Sequence, residues 1–173
     1  ERQALLQYKD HQLPATLMGV DTTFARLTSI DSIITSGHFT TFDGTFERIV
    51  FGRGLAITLG VKAQFVEAIH LYAPKRDQVS AITPSLSSLT SSYAFISGEF
   101  AVNQSAYDDR YAIISLDHAR RLFNFDSTEV TALYLKLDPN LSASATKRVH
   151  ASLHTMLADN YDVQDRYEQQ ADF

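Results

Sequence analysis

Apolar and polar positions alternate through much of this chain, and the alternation predicts strands more often than helices. Residues 4–9 and 13–20 hold clustered apolar positions on either side of the polar break Asp10, His11 and Gln12, the pattern of two strands joined as a hairpin. Phe24, Leu27 and Ile30 recur at helical spacing. Asp43 and Gly44 are a strong turn signal ahead of a strand at 47–51. Between Gly52 and Gly60 the apolar Leu55, Ala56 and Leu59 share one helical face, and Gly60 suits a left-handed helix end. Strands are expected at 66–73 and 93–102, with a short buried one at 111–114. A helix from Leu116 to about Phe123 follows, which Ser115 can cap. The last part of the chain reads as a β-α-β unit. Its first strand, 130–137, stops at Asp138 and Pro139; a helix capped by Ser142 or Ser144 reaches about Ala158; the closing strand is 161–166.

Segment 74–92 breaks this order. Lys75, Arg76 and Asp77 lead into a Ser/Thr-rich run without a sustained period, although it carries Val79, Ile82, Leu86 and Leu89. Long irregular connections in compact domains are either disordered or functional, and these apolar residues exceed what a solvated linker needs.

Composition narrows the function classes. The 173 residues, 45% of them hydrophobic, suffice for one core or for two small subdomains sharing one. Acidic residues outnumber basic ones by 20 to 15, a formal charge of -5, and no basic stripe exists to neutralise phosphates, so nucleic acid is not an expected partner. The absence of cysteine removes disulfides, thiolate metal sites and thiol nucleophiles. The longest apolar runs, 111–114 and 132–135, fall far short of the ~18 residues that span a bilayer. The chain starts at Glu1 rather than Met and stops after the polar run 165–170, which reads as a segment of something longer.

Candidate chemistry is sparse. Gly52, Arg53 and Gly54 stand between a strand and a helix, where backbone N–H groups could cradle a phosphate, yet position 57 is Ile and no Gly-Lys-Ser/Thr follows. A turn and helix cap is the expected role. His150 and His154 have metal-ligand spacing on a helix, but Ala151, Ser152 and Leu153 between them supply no further ligand, so two solvated positions are expected. His11, His38, His70 and His118 are scattered, with the surface or a hydrogen-bonding partner as their expected setting. Asp108 and Asp109 could bind a cation or transfer protons, although neighbours on an extended segment point opposite ways. No serine lies in a Gly-x-Ser-x-Gly elbow. No cofactor, metal site or catalytic activity is expected.

Read in order, Gly52-Arg53-Gly54-Leu55-Ala56, Leu59-Gly60-Val61-Lys62, Leu71-Tyr72-Ala73-Pro74, Gly98-Glu99-Phe100 and the run from Ser115 to Leu122 resemble the extracytoplasmic domain of FtsX-like permeases, in the branch of LolC, LolE and MacB. Gly19-Val20-Asp21 supplies an earlier matching turn, and the likeness extends from about Gly19 to Arg166. The resemblance implies an α+β fold in two parts: a mixed, mostly β Sabre-like subdomain over 1–124, and a partial α/β Porter-like subdomain over 125–173 that ends in the β-α-β unit. It implies a periplasmic domain of a bacterial inner-membrane ABC transporter permease. Such a permease pairs with a cytoplasmic ATPase subunit, forms a permease dimer and releases lipoprotein to a periplasmic carrier. Segment 74–92 would be a hook-like loop gripping that carrier through Ile82, Pro84, Leu86 and Leu89. Two alternatives stay open: a MacB-like efflux permease domain coupled to an adaptor protein, and a small-molecule sensor.

Overall fold

Tyr8 stands opposite His11 across a two-residue turn at Lys9 and Asp10, which joins strand β1 (Arg2–Tyr8) to β2 (His11–Val20) in the expected hairpin. Lys9 takes a positive φ of 53° there. The computed structural model describes residues 1–64, 66–75, 89–157, 161–165 and 168. These fall into two compact units, 1–131 and 132–173.

In the first unit the hairpin extends in both directions. β1 pairs antiparallel with β5 (Ala68–Pro74), and β2 pairs parallel with β7 (Tyr111–Ser115). β7 lies antiparallel to β4 (Arg48–Gly52), which runs parallel to β6 (Leu89–Phe100). β6 in turn pairs antiparallel with β5, so six strands close into a barrel in the order β6-β4-β7-β2-β1-β5. A short strand, β3 (Ile34–Gly37), joins the far end of β6 outside the ring. The length of β6 makes this possible: residues 89–95 pair with β5 and 98–100 with β3.

Inward positions alternate along each strand and fill the barrel with apolar side chains, among them Leu6, Leu17, Phe51, Leu71, Ile96 and Ile114. Helix α2 (Arg53–Leu59) adds Leu55, Ala56 and Leu59 to this core and ends at Gly60 with φ 77°, as its sequence predicts. Helix α4 (Leu116–Phe123) adds Ala119, Leu122 and Phe123. β4 and β7 are buried on both faces because their other side, at Val50 and Ile113, meets a second cluster. That cluster includes Phe24 from α1 (Phe24–Thr28), Ile30 from the 3₁₀ turn Ile30–Ile33, and Phe39. Helix α3 (Ser105–Asp108) links β6 to β7.

The second unit holds helix α5 (Ala143–Leu157), which has no fully buried residue; Ala145, Val149, Leu153 and Leu157, four apart, are its partly covered stripe.

Two expectations require correction. The fold is a closed six-stranded barrel in a mixed sheet with few, mostly short helices, not an α+β combination of a Sabre-like part and a Porter-like α/β part. Nor does it end in a β-α-β unit, because residues 132–137 and 161–165 form no strand. The alternating apolar pattern of 132–137 is strand-like, but a strand also needs a neighbour for its N–H and C=O groups. No described segment supplies one, and Leu133 and Leu135 stay 76% and 67% exposed.

Candidate functional site

The loop expected to bind a partner is anchored in the barrel at both ends. Pro74 closes β5 directly opposite Leu89, the first residue of β6, so residues 89–92, expected as irregular, are strand. Leu89 is half-buried at that ladder end. Ile82, Pro84 and Leu86 lie outside the described residues.

The outer face of the β5–β6 hairpin is aromatic. His70 stands opposite Tyr93 and Ala68 opposite Phe95, and the His70 and Tyr72 rings stack at 6.4 Å. Phe95 meets Phe46 edge-on at 5.1 Å and Tyr93 at 6.0 Å. The Arg48 guanidinium lies 5.7 Å from the Phe95 ring centre and is ion-paired to Asp43. The Asp43 carboxyl is held at about 2, first by the Phe46 and Thr45 backbone N–H groups and then by Arg48, which fixes the turn carrying Phe46. Tyr93 at 54% and Phe46 at 45% exposure make this an unusually open row of rings.

The polar cluster that sequence reasoning missed sits at the opening covered by α4. His118, expected at the surface or beside a partner, is 1% exposed, and its Nε2 is 2.7 Å from Ser92 Oγ on β6. Its Nδ1 faces Glu47 Oε2 at 3.6 Å, too far for a hydrogen bond, and has no hydrogen-bond partner among the described residues. Glu47 also accepts a hydrogen bond from Ser115 Oγ at 3.0 Å and pairs with Arg121. Ser115 Oγ in turn caps α4 by accepting from the His118 N–H, as expected. Burial lowers the His118 pKa; the Glu47 carboxylate opposes the shift and Arg121 adds to it. Serine, imidazole and carboxylate in line have the make-up of a nucleophile relay. Here the imidazole is buried, its Nδ1 stands 3.6 Å from the carboxylate, and its Ser92 contact joins α4 to β6. The legible signal was position: His118 shares the helical face of Ala119 and Leu122, three residues after a capping serine.

Gly52, Gly54 and Asp108 meet at the α3 turn. A Cβ on Gly52 would lie 2.4 Å from the Asp108 carbonyl oxygen, and one on Gly54 1.8 Å from Asp109 Oδ1. These glycines admit the α3 turn rather than a phosphate. The Asp108 carboxylate accepts the Val102 and Gln104 N–H groups at 2.9 and 3.2 Å, binding that turn together. In the second unit His150 Nε2 lies 3.5 Å from Glu168, and His154 is exposed. Among the described residues no group of three or more His, Cys, Asp or Glu is arranged to hold a metal, and no helix is long and apolar enough to cross a membrane.

No protein-family model matches this sequence, and no curated protein matches it.

Proposed function

We propose that this chain is an extracytoplasmic domain of an ABC transporter permease, acting as the partner-binding and force-transmitting part in lipoprotein release to a periplasmic carrier. The motif series of the LolC, LolE and MacB branch is the starting point for this reading, and its residues fall on the frame of the barrel: Gly52 and Gly54 against α3, Gly98 against His38, Gly19 against Ala119. The observation that carries it is the β5–β6 pairing, a continuous ladder from Ala68 opposite Phe95 to Pro74 opposite Leu89, so both ends of the expected partner-binding loop are built into the barrel wall. The outer face of that ladder carries the rings of Tyr72, Tyr93 and Phe95, and aromatic side chains contribute disproportionately to protein interfaces. A closed barrel has no free edge on its ring and passes a pull on one strand to its neighbours through the ladders. A cytoplasmic ATPase subunit would supply the pull, with a second permease copy beside this one.

The test is capture of the purified lipoprotein carrier on immobilised chain, wild type against a variant with 76–88 replaced by a short Gly/Ser turn. The variant is expected to lose at least tenfold in carrier retention while keeping its far-UV circular dichroism. Equal retention would remove the loop from the proposal, and no retention by either protein would remove the carrier.

A further inference from the structure

Among the described residues His118 is the one buried polar side chain, and it reaches the core from a small element. Helix α4 has eight residues, too few to persist undocked in water, and besides the imidazole it buries only Ala119, Leu122 and Phe123. It packs through side chains on β2, β5, β6 and β7, whereas those strands are joined into the ring by backbone ladders.

The buried positions of these four strands carry no charged side chain. From β6, Ser92 Oγ meets Nε2 at 2.7 Å. Two charges face the ring: Glu47, in the segment before β4, with Oε2 3.6 Å from Nδ1, and Arg121, on α4 itself. The other charges of α4, Asp117 and Arg120, pair with each other at 3.4 Å.

An ionised carboxylate only accepts hydrogen bonds, so the neutral ring turns its N–H from Nδ1 toward Glu47 and accepts at Nε2 from the Ser92 hydroxyl. A second proton has only Nε2 to occupy. Ser92 must then turn its hydroxyl to accept, and a full positive charge is shut into an apolar core. The counter-charge is already engaged, because Glu47 accepts from Ser115 Oγ and pairs with Arg121. Burial holds the imidazole pKa below its ordinary 6.5, with Glu47 opposing the shift and Arg121 reinforcing it. A helix that leaves the barrel returns the ring to water, where it takes the proton freely.

We propose that α4 is an acid-released latch: proton uptake at His118 frees the helix from the barrel as one element while the ring of six strands stays closed. The inference rests on this cluster and is independent of the transport reading.

Amide hydrogen exchange of the ¹⁵N-labelled chain at pH 7.5 and pH 5.5, with and without low urea, tests it. Residues 120–124 are expected to exchange at least tenfold faster than the ladders of β4 and β7, at a rate that low urea scarcely changes, as in a local opening. Their protection, corrected for intrinsic rates, should fall about fivefold or more from pH 7.5 to pH 5.5, the range over which a freed imidazole binds its proton. In His118→Gln that fall should disappear. Exchange of 120–124 with the rate and urea slope of the ladders would mean that α4 leaves only with the whole barrel, and would overturn the proposal. Protection that does not fall with pH, or falls equally in His118→Gln, would overturn it as well. The wild-type rates, urea slope and pH response decide the matter by themselves if the variant does not fold.

Discussion

Gly52 and Gly60 flank the same short helix, and an added methyl group would meet opposite problems at the two positions. At Gly52 the backbone is ordinary but the Asp108 carbonyl oxygen stands 2.4 Å from the new Cβ, so α3 must move. At Gly60 nothing lies within 4 Å, and the cost is the left-handed φ of 77° alone. Gly60→Ala should therefore cost about 1 kcal/mol, and Gly52→Ala more, up to about 3 kcal/mol, because a packed backbone has to shift. Urea denaturation of the two variants reads this order. If Gly60→Ala were the worse of the two, the close approach of α2 to α3 would not be what glycine serves at position 52.

Among the elements, α4 carries the histidine whose burial makes stability depend on pH near neutrality. His118 sits on its buried face with a pKa lowered chiefly by burial, so in the folded state it stays neutral where a free imidazole, with its ordinary value of 6.5, takes up a proton. As pH falls below about 6.5 the unfolded chain binds that proton first, and the folded state loses relative stability until its own lower pKa is reached. The contribution is thus fully present above the unfolded value and drains away on acidification. His118→Gln should be less stable than wild type at pH 7.5, having lost the fitted Ser92 contact. Its urea midpoint should nevertheless fall less between pH 7.5 and pH 5.5. A slope that the substitution leaves unchanged would place the proton uptake on another group.

For the molecule as a whole, the two units differ in how their backbones are protected. The ring of ladders around Leu6, Phe51 and Leu71 has no fraying edge, and its amides should exchange through global unfolding. α5 buries no residue completely and should open locally. Hydrogen-exchange mass spectrometry is expected to show 143–157 exchanging orders of magnitude faster than peptides from β4, β5 and β6. Protection of α5 equal to that of the barrel would mean that the helix shares the barrel's cooperative unit.

Local chemistry was legible in the sequence wherever a single segment decides the outcome. The β1–β2 hairpin, the left-handed end at Gly60, the Asp43-Gly44 turn and the Ser115 cap all follow from side chains a few residues apart. Local pattern marked β4, β5 and β6 as strands but did not say which strands pair. Ring closure through β5 and β6 arises from contacts far apart in the chain, and it is what brings Ser92 to His118. The same limit explains the failed strand at 130–137: periodicity reports which side chains can share a face, whereas a strand exists only when another chain segment lies beside it to accept its hydrogen bonds, and only the tertiary structure decides that.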